Sequence, residues 1–181
     1  GGVTMALALR TAERELGRAD LRMVSAQATY CQAVPAGPVA LQVEVLRSGR
    51  RGAQVEVRLW SSAEAAGDAG ADLVVVVVFG AGDAASPYRF LGAAFPEAAP
   101  GPEQSLPRLQ DDPDGPFAQL ITLQLSMQFF EPMRGEFLCQ HTRAHHAGDG
   151  FATGVADLWS QDGRLVAIAT QAAMLQPMVR G

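Results

Sequence analysis

This chain runs through nearly the same order of segments twice, and that repetition constrains its fold more than any single motif does. Val24 to Phe79 reads as a strand closed by a proline turn, a long strand, an Arg/Gly-rich turn, a strand ending in Trp60, a polar link and a hydrophobic strand. Ile121 to Gln171 follows that order again. Pro35 answers to Pro132, Trp60 to Trp159, and Leu73-Val74-Val75 to Leu165-Val166-Ala167. Proline and tryptophan stand 25 residues apart in the first copy and 27 in the second. Two copies are too few for a solenoid, in which each repeat is stabilised by its neighbours. The expectation is two related halves packed about a pseudo-twofold axis, with function sought where the copies differ.

Periodicity assigns the segments. Met5, Leu9, Ala12 and Leu16 fall on one face of a helix over residues 1–16, while Arg10, Thr11, Glu13 and Arg14 cover the other. Gly17 is placed to stop it. Val39, Leu41, Val43 and Val45 alternate with Ala40, Gln42 and Glu44, and Ala53, Val55, Val57 and Leu59 with Gln54, Glu56 and Arg58. Both patterns are those of half-buried strands, and Ser48-Gly49-Arg50-Arg51-Gly52 turns the chain between them. Leu73 to Phe79 is a short apolar run, hence a buried strand. In the second copy strands are expected over 121–130, 136–145, 151–159 and 164–175. His146-Ala147-Gly148-Asp149-Gly150 reads as a turn, and Asp162-Gly163 is a hairpin signal.

Between the copies, Gly80 to Gln119 holds seven of the eleven prolines and reads as a linker. The division is therefore 1–82, a Pro-rich linker over 83–119, and 120–181. One difference stands out. The first copy has a helix before its strands, whereas the second has only Asp114-Gly115-Pro116-Phe117-Ala118-Gln119, too short and too broken by Gly and Pro to be its equivalent.

Composition narrows the function classes. A net charge of −5 argues against non-specific nucleic-acid binding, which needs a basic surface. It leaves room for an anionic ligand held by a few local arginines. The longest apolar run is far too short to span a bilayer, and no leader pattern opens the sequence. Cys31 and Cys139 fall at non-equivalent places in the repeat, so no structural disulfide is expected and the cytoplasm is the default compartment. His141 and His145 share a strand face by period 2, yet no zinc-site spacing accompanies them, and no metal or cofactor is expected.

A helix followed by a long antiparallel meander, present twice, is the order of a double hotdog protein. At residue level, Gly1-Gly2 opening a helix, Arg47-Ser48-Gly49-Arg50 between strands, and Asp162-Gly163-Arg164-Leu165-Val166-Ala167 leading to Thr170-Gln171 resemble the type II acyl-CoA thioesterase family. The resemblance covers residues 1–80 and 120–175. It implies an α+β fold of two antiparallel meanders, each curled around a central helix, with the second helix missing from this sequence. It also implies hydrolysis of fatty acyl-CoA without a metal or a serine nucleophile, by a water that a carboxylate, a threonine and a glutamine hold and activate. Gln171 matches the glutamine and Thr122 the threonine; Gly1 and Gly2 match the helix start that steadies an oxyanion, and Arg47 and Arg50 are candidates for CoA phosphates. The family's aspartate belongs to the missing helix, and Asp111, Asp112 and Asp114 do not match its motif.

Aligning Leu73 on Leu165 sets Phe79 opposite Gln171, so a single amide-bearing site per chain is expected. The missing aspartate keeps a second reading open, a non-catalytic acyl-CoA or lipid-binding protein of the same fold. A hotdog dehydratase would need a histidine at a helix start, where none of the three lies. A homodimer of double hotdogs is expected, because open sheet edges need cover.

Overall fold

The structure, a computed structural model, describes residues 1–62, 66, 70–82, 118–148 and 150–177. Residues 83–117, most of the expected linker together with Asp111, Asp112 and Asp114, lie outside the described residues. The described order is α1 (Gly2–Leu16), β1 (Arg22–Tyr30), β2 (Ala40–Ser48), β3 (Gly52–Trp60), β4 (Leu73–Gly80), β5 (Ala118–Phe129), β6 (Leu138–Gly148), β7 (Phe151–Ser160) and β8 (Leu165–Pro177). The chain divides into two compact units. One holds the described residues up to 82 and Leu123–Phe129, and the other holds 118–122 and the described residues from Phe130 onwards.

In the first unit the strands run β2-β3-β4-β1-β5, each neighbouring pair antiparallel. Directly opposed residues share a face. One face carries Val55, Val57 and Leu59 of β3 against Val77, Val75 and Leu73 of β4, continued by Ala26 and Ala28 on β1. All of these are buried, and α1 lies on them through Met5, Ala8 and Ala12. Leu125, Met127 and Phe129 of β5 pack against the same cluster. The apolar stripe of α1 is therefore centred on Ala8, with Leu9 and Leu16 only partly buried at its flanks. A small residue at the centre lets the helix lie close on the valine rows. Gly17 ends the helix in the left-handed conformation at φ 61°, its N–H donating to the Glu13 carbonyl.

The second unit repeats the ladder as β6-β7-β8. Trp60 ends β3 and Trp159 is the last residue but one of β7, both buried. The two β2-like strands carry the same defect: pairing shifts between Val45 and Arg47 in one and between Ala144 and His146 in the other. Counted from the tryptophans, Leu46 and His145 are equivalent bulge residues. Such a bulge exchanges the faces of everything beyond it. Among the described residues α1 is the sole helix.

Three expectations change. The turn over 146–150 is shorter, because β6 continues to Gly148, opposite Phe151, and Gly150 takes φ 80° to close the hairpin. His141 and His145 do not share a face: the bulge at His145 puts His146, opposite Thr153, in the row of His141, opposite Asp157. The third concerns the repeat. Ala53 faces Phe79 on β4, and its equivalent Ala152 faces Ala173 on β8; Val55 faces Val77, and Gly154 faces Gln171. Gln171 therefore corresponds to Val77, not Phe79. The shift arises because pairing slips between Leu158 and Trp159, inserting Val166 into the β7–β8 ladder.

Candidate functional site

The second unit brings together the two side chains expected to act. Gln171 on β8 donates from Nε2 to Thr122 Oγ1 of β5 at 2.7 Å. That donation leaves Gln171 Oε1 as an acceptor and the Thr122 hydroxyl proton as a donor, so the pair offers one group of each kind to a water. Neither group is a base. They can orient a nucleophile but cannot take its proton.

The surroundings of the pair are unlike those in the first unit. There the corresponding cross-strand pair is Val55 and Val77, both 0% exposed. Here Gly154 stands in place of Val55, Ala156 of Val57 and Ala169 of Val75. On the edge strand, Leu41, Val43 and Val45 give way to Gln140, Thr142 and Ala144. Gln140 Nε2 donates to Thr142 Oγ1 at 2.8 Å, a second amide–hydroxyl pair in that row. Gln171 is exposed and Thr122 partly so. The row that forms a dry core in one unit is thus small, polar and open in the other. Sequence reading missed Gly154, Ala156 and Ala169, although counting back from the tryptophans reveals the two on β7.

The remaining candidates lie in the first unit, at opposite ends of α1. The Gly1 carbonyl accepts from the Tyr30 hydroxyl, from Thr4 Oγ1 at 2.9 Å and from the Met5 amide at 3.2 Å. Burial raises the Tyr30 phenol above its ordinary pKa, with a hydrogen bond involving Thr4 opposing the rise. A side chain added at Gly2 would meet nothing within 4 Å, so close packing is not what calls for glycine there. Gly1 caps the helix without a side-chain hydrogen bond, leaving its first amides to other acceptors. Arg47 and Arg50 sit at the other end, where Arg18 just beyond α1 donates to the Gly49 and Arg50 carbonyls. A helix of 15 residues separates the two places by roughly 22 Å. Gly1 and Gly2 do not share one pocket with Arg47 and Arg50 in this unit.

Among the described residues no group of three His, Cys, Asp or Glu is placed to hold a metal ion. None of the described helices is long and apolar enough to cross a membrane.

Comparison with known proteins follows the same division. Residues 1–80 match the family model described as the acyl-CoA thioesterase N-terminal domain. A search of curated protein sequences gives no match. Among solved structures, an acyl-CoA thioesterase II, TesB2, of Mycobacterium marinum superposes with a TM-score of 0.76 at 16% identity, covering 100% of this chain and 90% of that one. The tesB protein of Mycobacterium avium subsp. paratuberculosis gives 0.78 at 16% identity, over 98% and 87% of the two chains. A hot dog fold protein of unknown function from Alicyclobacillus acidocaldarius gives 0.77 at 16% identity, over 99% and 88%. The chain has the double hotdog fold, and its residues 1–80 resemble an acyl-CoA thioesterase N-terminal domain.

Proposed function

We propose that this protein hydrolyses fatty acyl-CoA to a free fatty acid and CoA. In this reading a water oxygen attacks the thioester carbonyl carbon, the C–S bond breaks, and the proton lost by the water goes to a carboxylate and then to the departing thiolate. Gln171 and Thr122 fix the direction of that water, which converts a random encounter into an oriented one. The observation that carries the reading is the 2.7 Å Gln171–Thr122 bond in a row stripped of large side chains.

The test is hydrolysis of acyl-CoA substrates of several chain lengths by the wild-type protein and by Gln171→Ala. Loss of the orienting amide is expected to lower kcat/KM roughly 100-fold. Unchanged turnover in Gln171→Ala would remove Gln171 from the site.

A second reading, binding of acyl-CoA without hydrolysis, is favoured by one observation. Among the described residues no carboxylate hydrogen-bonds to Gln171 or Thr122. Tight acyl-CoA binding by a wild-type protein that releases no thiol would select it.

A further inference from the structure

The ladder β8-β7-β6 ends at β6, and among the described residues no strand pairs with the outer side of β6. A strand in that place carries a row of backbone N–H and C=O groups that another strand can meet, and proteins guard such edges with charge, proline or a bulge. β6 is weakly guarded. From Leu138 to Ala144 it pairs regularly with β7, contains no proline, and has Arg143 as its single charged residue. That guanidinium donates to the buried Asp157 carboxylate of β7 at 3.2 Å, so the ladder itself neutralises it. Every residue of the segment except Cys139 is exposed, Leu138 by 43%. The edge strand of the first unit is guarded better. Glu44 of β2 stands opposite Glu56 of β3, and of the two only Glu56 has an arginine partner among the described residues. A second β2 laid alongside would add more carboxylates to the same face.

The regular segment of β6 is also complementary to itself. In an antiparallel pair, directly opposed residues share a face, so a second copy can be added only about a twofold axis that passes through a residue. An axis through His141 uses all of Leu138–Ala144, whereas one through Gln140 or Thr142 keeps only five residues, because β6 starts at Leu138 and its bulge lies at His145. The His141 register sets Leu138 against Ala144, Cys139 against Arg143, Gln140 against Thr142 and His141 against itself. Gln140 and Thr142 suit each other, since within one strand the Gln140 amide already donates to the Thr142 hydroxyl at 2.8 Å. Leu138 gains an apolar neighbour, and each Arg143 keeps its own Asp157, so no unneutralised like charges meet.

We propose that two copies of this chain join through β6 in this register, continuing the ladder β8-β7-β6 into the second copy with roughly six to eight backbone hydrogen bonds. The bulge at His145 ends the pairing on one side and the start of β6 ends it on the other. The joint does not depend on the thioesterase reading.

Sedimentation velocity over a range of protein concentrations tests it, with no substrate present. Wild type is expected to form a dimer as the concentration rises. H141E and H141K each oppose like charges across the axis, and each should dimerise at least roughly tenfold more weakly. An equimolar mixture of the two should recover the wild-type association, because only this register sets position 141 against itself. Recovery on mixing also excludes misfolding as the cause of either loss. E44K, on the edge of the first unit, should associate as wild type does. A wild type that stays monomeric, or H141E and H141K that dimerise as well as wild type, would overturn the proposal. A mixture no better than its separate components would overturn the register, and loss of association in E44K alone would move the joint to β2.

Discussion

Two rows of side chains, equivalent by position, have met opposite fates in this molecule. In the first unit the row is Val55, Val57, Leu59, Leu73, Val75, Val77 and Phe79, all buried beneath α1. In the second it is Gly154, Ala156, Leu158, Ala167, Ala169, Gln171 and Ala173. Each apolar side chain in the first row contributes about 1.5–3 kcal/mol by leaving water. The second row gives up most of that, keeping Leu158 and small residues around one amide. A duplicated element whose copies differ in this way separates two tasks: one copy supplies stability, and the other is free to carry polar chemistry. The hairpins divide in the reverse sense, three arginines in the first unit and none in the second.

The largest effect that would test this division is on stability. Phe79 is 2% exposed and corresponds to Ala173. Phe79→Ala is expected to cost about 3–5 kcal/mol, the usual range for emptying a buried aromatic site. Gln171→Ala, at an exposed position, should change stability by about 0.5 kcal/mol or less. Urea unfolding of the two variants gives both numbers. A Gln171→Ala loss as large as that of Phe79→Ala would mean that the amide is part of a packed core and that the two rows do the same work.

A smaller effect restores the first unit's residue in the second. Gly154→Val would recreate the partner that Val55 gives Val77, filling the space beside Gln171. Its Cβ would meet the Arg143 carbonyl at 3.0 Å, so about 1–3 kcal/mol of crowding is expected as well. Acyl-CoA turnover should fall roughly tenfold, about 1.4 kcal/mol in the barrier, while the protein remains folded by circular dichroism. Full turnover in a folded Gly154→Val would show that the open row plays no part in the reaction.

Much of this architecture was legible in the sequence because period-2 alternation survives wherever one face is buried. Leu73 to Phe79 and Ala53 to Leu59 matched their strands within a residue, and Gly17 stopped α1 as its conformational freedom requires. What was not legible was register. A bulge shifts pairing without changing composition, and so Phe79 was set against Gln171 when Val77 is the true counterpart. His146, Ala147 and Gly148 looked like turn residues because histidine, alanine and glycine carry no strand signal, whereas the ladder to β7 overrides that weak preference. Thr122 and Gln171 were matched one by one through a resemblance; nothing local in the sequence fixes the bond between them. The pairing of Arg47 with Gln54 depends on the Leu46 bulge and is invisible in the sequence for the same reason.

The smallest effect concerns how each unit closes the connection after its tryptophan strand. In the first unit the Ser61 amide donates to the buried Asp72 carboxylate at 2.7 Å. In the second, Ser160 Oγ donates to Asp162 in the tight turn, with Gly163 at φ 77°. The Ser160 hydroxyl, more than the turn amide or the nearby Arg164 and Arg134, holds the Asp162 carboxyl below the ordinary carboxylate range. A carboxyl lowered on folding favours the folded state when ionised. Its contribution is therefore complete above about pH 4 and is lost as the pH falls through the lower folded value. Asp162→Asn should accordingly lower the thermal midpoint slightly at pH 7 and by less at pH 2, as the falling pH titrates the wild-type carboxyl. Equal losses at both pH values would mean that Asp162 acts through its shape in the turn and not its charge, and the two units would then close their strands by the same neutral hydrogen bonding.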